Sequence, residues 1–126
     1  MIEHAPANRY RQMEVAAMTP AQLVVALSSR LVLSVKQARA AIVAGDVEAR
    51  QQRLDHACAI LHELSVSLDH ERGGEIAGRL AALYAWLIGE CTAVHARPSA
   101  ERLDASIKVV SELHEAWVAA EQAAPG

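Results

Sequence analysis

Histidine and carboxylate side chains are the groups in this sequence that could bind a metal ion or transfer protons. Helical bundles that hold two metal ions commonly use Glu-x-x-His on two helices, and no glutamate here has a histidine three residues after it. His62-Glu63 resembles the start of a zinc-protease motif, but Val66 stands where the second histidine is required. His56 and His62 are six residues apart and point to different faces of a helix. We therefore predict no metal site and no cofactor.

Acidic residues around a glycine pair are the other candidates for chemistry. Asp69, Glu71 and Glu75 flank Gly73 and Gly74, but nothing in the neighbouring sequence predicts an enclosed pocket that would shift their pKa values. The glycines precede a predicted helix whose free amides could bind an anion, yet the lysine and hydroxyl residue of a phosphate-binding loop are missing. We interpret these five residues as helix caps and a turn. No catalytic residue is predicted, and the chain is not expected to be an enzyme.

The composition indicates one helical domain. Hydrophobic residues make up 52% of the 126 residues and aromatic residues 3%, without phenylalanine, so Leu, Val, Ile and Ala must form the core. The formal net charge is −3 and the charges are interspersed, which argues against a nucleic-acid partner. The N-terminal residues lack the apolar segment of a secretory signal, and the longest apolar stretch, residues 23–35, is too short to span a membrane. We expect a cytoplasmic protein without membrane insertion.

Capping residues predict where the helices begin. Thr19 can cap a first helix over residues 20–44, with Pro20 in its first turn, where a missing amide proton costs nothing. Asp46 can cap a second helix, which we expect to continue to about Arg72.

The glycine pair then ends the second helix in this prediction. Gly73 and Gly74 stop it, and Glu75 lies in the first turn of a third helix that runs to about residue 95. Ser99 caps a fourth helix that ends at about residue 121. Cys58 and Cys91 fall on apolar faces of two different helices and are interpreted as reduced packing residues.

Each predicted helix carries one apolar stripe at helical spacing. The predicted fold is all-α: an antiparallel four-helix bundle over residues 19–121, with an N-terminal arm over residues 1–18 and a frayed tail over residues 122–126. The stripes consist of Leu23, Leu27, Leu31, Val35, Ala38 and Ile42; Leu54, Ala57, Cys58, Leu61, Leu64 and Leu68; Ile76, Leu80, Leu83, Tyr84, Leu87, Ile88 and Cys91; and Leu103, Ile107, Val110, Leu113 and Trp117.

Several apolar residues lie outside the centres of these stripes, which indicates an apolar surface that needs a cover. The cover could be the arm, a second copy of the chain, or a helix of another protein. The simpler interpretation is a wide core stripe with scattered apolar surface residues. The displaced residues are Val25, Val32, Leu33, Ile60, Trp86 and Val109.

Two sequence strings are specific enough to indicate a family. Residues 67–77 read Ser-Leu-Asp-x-Glu-x-Gly-Gly-Glu-Ile-Ala, and residues 112–117 read Glu-Leu-x-Glu-Ala-Trp. Together with Tyr10 and Val15 in the same register, they resemble the FliS family of flagellar export chaperones over about residues 10–118. The chain departs from the family pattern at residues 27–30, where Leu-Ser-Ser-Arg replaces the usual Leu-Tyr-Asp-Gly. Ile88-Gly89-Glu90 likewise replaces a usual basic pair.

The resemblance implies a cytoplasmic chaperone that binds the C-terminal helical segment of flagellin and prevents its premature polymerisation. It also implies delivery of flagellin to the flagellar type III export apparatus, with export-gate components as further partners. It gives Tyr10 and Val15 a covering role over the binding surface. The chain is expected to be a monomer or weak homodimer. The alternative is a helical adaptor or homodimeric bundle that uses the same surface for a different regulatory or export partner.

Overall fold

The fold over residues 20–123 consists of four packed helices. The structure is a computed structural model that describes Met13 and residues 17–123. The helices are α1 (Pro20–Ala44), α2 (Val47–Val66), α3 (His70–Ala96) and α4 (Ala100–Ala123). Each packs against the next along the chain, and α4 packs against α1. This arrangement confirms the predicted all-α four-helix bundle. Tyr10 and Val15, most of the predicted arm, and residues 124–126 of the predicted tail lie outside the described residues.

Local hydrogen bonds explain where α1 begins and ends. Thr19 Oγ1 accepts the amide of Gln22 at 3.1 Å, and Gln22 Oε1 accepts the amide of Thr19 at 3.1 Å. This capping box places Pro20 in the first turn. Gly45 follows the helix with φ 72°, a conformation that glycine adopts without steric cost. Both ends of α1 therefore follow from short sequence signals.

Two other helices also begin at polar caps. Asp46 Oδ1 accepts the amide of Ala49 at 3.0 Å at the start of α2. Ser99 Oγ accepts the amide of Arg102 at 3.2 Å at the start of α4. Because the connections are so short, neighbouring helices must run antiparallel.

The turn between α2 and α3 differs from the prediction. α2 ends at Val66 rather than near Arg72, and α3 begins at His70. Asp69 is the reason, because its Oδ1 accepts the amide of Arg72 at 3.0 Å and caps a new helix before the glycine pair is reached. The predicted end of the second helix at the glycine pair is wrong.

The glycine pair instead produces a kink one turn into α3. Gly74 has φ 50° and ψ −120°, a conformation that side-chain-bearing residues rarely adopt. A Cβ on Gly73 would lie 2.8 Å from the Cβ of Ala77, so the backbone can fold this tightly only with glycine there. Glu75 directly follows the kink and pairs with Arg79, with 2.8 Å between Oε1 and Nη2. Both glycines are thus required by the kink rather than by a helix end.

The core lies between the four helices and consists mainly of leucine, valine and alanine. Its buried members are Leu31, Val35, Ala38, Leu54, Ala57, Ile60, Leu61, Leu64, Tyr84, Leu87, Cys91, Val94, Leu103 and Val110. Two predictions fail here. Ile76 is 67% exposed, because it lies in the turn directly after Gly74 at the end of the bundle, where the described helices leave it uncovered. Ile60, predicted on the outer partner-binding surface, is only 5% exposed and belongs to the core.

Candidate functional site: an apolar cleft at one end of the bundle

The bundle end that contains the Gly45–Asp46 turn is held by ion pairs between helices. Two ion pairs join α1 to α4 and α3 to α4: Arg39 Nε to Asp104 Oδ1 at 2.6 Å, and Arg102 Nη2 to Glu90 Oε2 at 2.9 Å. Between α2 and α3, His95 Nε2 lies 3.4 Å from Asp55 Oδ1. The Arg102 guanidinium lowers the pKa of Glu90, and the Asp104 carboxylate raises the pKa of Arg39. We call this end the ion-paired end.

The opposite end of the bundle carries an apolar cleft of about 230 Å³, which we call the end cleft. It lies where the first turns of α1 and α3 meet the last turns of α2 and α4. Its apolar lining consists of Val24, Leu64, Leu68, Ile76, Ala77, Leu80, Tyr84 and Trp117, with Ser67, Asp69 and Gly73 at the α2–α3 turn. The kink at Gly74 lies beside this cleft and bends the start of α3 at its margin.

A second cavity of about 230 Å³ adjoins the end cleft, and we call it the side cavity. It lies between the start of α1 and the end of α4, and it shares Val24 and Trp117 with the end cleft. Its remaining lining residues are Pro20, Ala21, Ala120 and Glu121. The two cavities therefore adjoin each other from the α2–α3 turn to the α1–α4 seam, and we call them together the apolar depression.

Two aromatic residues give the end cleft its depth. Tyr84 is 1% exposed, and burial raises the pKa of its phenol, with a smaller opposite effect from the nearby Trp117 indole. Trp117 is half-buried, and its indole Nε1 has no hydrogen-bond partner within residues 17–123. The Trp117 ring therefore supplies most of the accessible aromatic surface, which suits binding of an apolar side chain rather than proton transfer, while the Tyr84 ring is almost fully covered.

Among the residues predicted for partner binding, those that the structure describes do not line the end cleft. Leu33 is 55% exposed on α1 and Trp86 is 42% exposed on α3, so both are accessible outer surface. Val25, Val32 and Val109 are half-buried. Val32 and Val109 pack against the core cluster, which fits the simpler interpretation of a wide stripe.

Six of the eight apolar cleft residues were predicted as core, all except Val24 and Ala77, because helical spacing identifies an inward-facing side chain but not whether another helix covers it. Leu64, Leu80, Tyr84 and Trp117 all belong to the predicted stripes. The glycine pair could have indicated the cleft, because a break near the start of α3 interrupts the helix that would otherwise cover this end of the core.

Two serine–histidine pairs join α1 to its neighbours inside the bundle. Ser28 Oγ lies 2.8 Å from His114 Nδ1, and Ser34 Oγ lies 3.0 Å from His56 Nδ1. Ser28 Oγ also lies 3.0 Å from the Val25 carbonyl oxygen, and the tautomer of His114 decides whether Nδ1 donates to the hydroxyl or accepts from it. Ser28 is 0% exposed and Ser34 2% exposed, so no substrate can reach either hydroxyl. The pairs connect helices and are not nucleophile–base pairs.

Comparison with known proteins identifies the family. The family described as "Flagellar protein FliS" matches residues 3–124, nearly the whole chain.

The chain belongs to the FliS family.

Three curated FliS proteins, each named a flagellar secretion chaperone, show the extent of the similarity. The protein of Campylobacter jejuni is 31% identical over 110 residues, which cover 87% of this chain and 86% of the relative. The protein of Salmonella typhimurium is 32% identical over 104 residues, or 82% of this chain and 77% of the relative. The protein of Vibrio cholerae is 28% identical over 104 residues, or 82% and 76%.

Membership of the FliS family confirms the resemblance seen in residues 67–77 and 112–117. Since FliS is a family of chaperones, it also confirms that the chain is not an enzyme.

Within the described part of the chain, no helix combines the length and hydropathy needed to cross a lipid bilayer. Within the same residues, no cluster of three or more His, Cys, Asp or Glu side chains is arranged as a metal site.

Proposed function

We propose that this FliS-family protein is a cytoplasmic export chaperone that holds the C-terminal helical segment of flagellin in the end cleft. Binding there keeps that segment from polymerising before export. The complex then brings flagellin to components of the flagellar type III export gate. The observation that carries this proposal is the apolar depression formed by the end cleft and the side cavity.

The shape and chemistry of the depression suit an amphipathic helix. Such a helix inserts apolar side chains at i, i+3 and i+4 into successive sites along a groove. The end cleft and the side cavity supply two adjoining apolar sites, with Val24 and Trp117 between them. Burial of each large apolar side chain contributes roughly 1.5–3 kcal/mol. Burial of two or three such side chains would therefore supply much of the free energy of binding.

Exposed apolar residues near the cleft extend the proposed binding surface. Ile76 is 67% exposed and lines the cleft, and Val66 is 83% exposed at the end of α2. Exposed apolar residues of this size at one end of a helical bundle favour a partner with an apolar surface. A flagellin segment that has not yet entered a filament would still expose its apolar side chains.

The deciding experiment is co-purification with flagellin, in full length and without its C-terminal helical segment. Loss of binding on truncation supports the proposal, and flagellin without its N-terminal segment is the matched control that should still bind. Binding that ignores the C-terminal truncation contradicts the proposed mode.

A second experiment separates flagellin binding from self-association. Light scattering of the chain alone, over a range of concentrations, reports whether a second copy covers the depression. A stable dimer that persists when flagellin is added would contradict the proposal and favour the homodimeric alternative.

A further inference from the structure

The two cysteines of the chain lie in the same seam between α2 and α3. Both are free thiols; Cys58 is half-buried and Cys91 is 1% exposed. His95 Nε2 lies 3.4 Å from Asp55 Oδ1, which shows which turns of these antiparallel helices lie opposite each other. Cys58 lies three residues after Asp55 and Cys91 four residues before His95. Because residues three or four apart share a helix face, the two thiols lie on facing turns of α2 and α3, one turn from this contact.

The surroundings of the two thiols differ. The Cys91 thiol is close enough to donate toward the Cys58 sulfur, which lowers the pKa of Cys58 to about 7, although burial and the Asp55 carboxylate act in the opposite direction. Hydrogen bonding with Cys58, burial and the nearby Glu90 carboxylate raise the pKa of Cys91. Cys58 is thus the more accessible and more acidic thiol, and Cys91 is the buried one.

We propose that Cys58 and Cys91 are a reversible oxidation site, at which a hydroperoxide converts the two thiols into a disulfide that joins α2 to α3. This role is independent of flagellin binding. Neither cysteine lines the end cleft, and the pair lies one to two turns below Leu64 and Tyr84 of its lining. Oxidation would therefore lock the hairpin that forms one wall of the cleft without adding a group to the cleft itself.

The chemistry balances with hydrogen peroxide as the oxidant. The Cys58 thiolate attacks one peroxide oxygen, the S–O bond forms, the O–O bond breaks and hydroxide leaves. The Cys91 sulfur then attacks the sulfur of the sulfenic acid, the S–S bond forms, the S–O bond breaks, and the leaving oxygen departs with the Cys91 proton as water. The proton first lost by Cys58 converts the hydroxide into a second water. Two thiols are oxidised, and one peroxide is reduced to two waters.

The test is peroxide treatment of the purified, fully reduced protein, followed by intact mass and thiol titration. The expected product is a monomer that has lost the mass of two hydrogen atoms and has no titratable thiol, and thiol reductant should reverse the change. The disulfide should raise the midpoint of thermal unfolding by roughly 10 °C, because it closes a long loop in the unfolded chain. A product that instead gains oxygen atoms, or that dimerises through Cys58, overturns the proposal.

Single variants separate the role of Cys58, which attacks the peroxide, from that of Cys91, which attacks the sulfenic acid. Cys91→Ala, which avoids leaving a buried hydroxyl without a partner, should accumulate sulfenic acid at Cys58 that dimedone traps, when both variants are treated at a pH high enough to form the Cys58 thiolate without its Cys91 donor. The matched variant Cys58→Ala should show little adduct, because Cys91 is buried. Circular dichroism of both variants checks that each remains helical. If mild peroxide forms an adduct equally fast in both folded variants, the assigned order of attack is wrong.

Discussion

Val24 on α1 and Trp117 on α4 form a shared wall between the end cleft and the side cavity. These are the two residues that line both cavities, so they lie where the two binding sites adjoin. A change at Val24 or Trp117 should therefore affect both halves of the depression at once.

The first prediction concerns Val24→Glu, which places a carboxylate in that shared wall. Because an apolar client side chain cannot pair with this charge, the dissociation constant for the C-terminal flagellin segment should rise at least about tenfold. Isothermal titration calorimetry measures the change. Val43→Glu is the matched control on the same helix, since Val43 is 70% exposed at the ion-paired end. Equal weakening by both variants would contradict the position of the site.

The α1 flank provides a second prediction. Val25 and Val32 lie three and four residues from buried Ser28, on the flank that faces α4, and both are half-buried. Replacing both with Asp should lower the free energy of unfolding by about 2–4 kcal/mol, measured by urea denaturation. Leu33→Asp, at a residue that is 55% exposed, should change it by less than about 0.5 kcal/mol. An unchanged unfolding curve with lost flagellin binding would instead identify this flank as the client surface.

The kink in α3 makes a third prediction. Gly74→Ala should lower the free energy of unfolding by about 1–3 kcal/mol, because a Cβ is unfavourable at φ 50°, ψ −120°. Gly78→Ala should raise it by about 0.5–1 kcal/mol, because Gly78 is exposed, helical and has open space for a Cβ. Chemical denaturation compares the two. If Gly74→Ala is neutral, α3 can straighten at no cost and the kink is not required.

The pH dependence of Cys58 alkylation gives a fourth prediction. The thiolate is the reactive form, so the rate with iodoacetamide should rise as pH increases through about 7. In Cys91→Ala, Cys58 loses its hydrogen-bond donor, while burial and the Asp55 carboxylate still raise its pKa. The midpoint of the pH–rate curve should therefore move upward, above the usual thiol value of 9.0. Peptide mapping of the alkylated site over a pH series measures this shift. A midpoint that stays the same in the variant would show that Cys91 does not act on Cys58.

The ion-paired end gives a fifth prediction, for Glu90→Gln. The folded pKa of Glu90 is lowered by Arg102, so the stabilising contribution is present above the ordinary glutamate value of 4.5 and is lost as pH falls through the folded pKa. The variant should therefore melt at a slightly lower temperature than wild type at pH 7. The two should converge in acid, as followed by circular dichroism. A difference of the same size at every pH would indicate a packing effect rather than charge.

Local signals predicted much of the fold. The capping box at Thr19 and the left-handed Gly45 fix α1 through contacts between residues at most a few positions apart, so the sequence alone was sufficient there. The α2–α3 turn was missed because two local signals compete within a few residues. Asp69 caps a helix before the glycine pair is reached, and the pair is then accommodated as a kink. Propensity alone does not rank a cap against a break at such short separation.

The candidate site was harder to predict, because an open core end and a filled core have the same helical spacing. Tyr84 and Trp117 were correctly placed facing inward, but whether space remains between them depends on how four helices come together. Ile76 shows the same limit, since its spacing from Leu80 is correct for one helix face, but it lies at the end of that face and is 67% exposed beside the cleft. Family membership, by contrast, was evident from two short strings.

The separation between the end cleft and the ion-paired end matters for the proposed function, because it determines how many proteins the chain can bind at once. A bundle helix of 25 residues, such as α1, is roughly 37 Å long, so the two ends are far apart on the molecular scale. If cargo binds in the end cleft as proposed, Val43 and Val47 at the other end remain exposed. The proposed site therefore leaves the other end of the molecule free to contact a second protein while cargo is still bound.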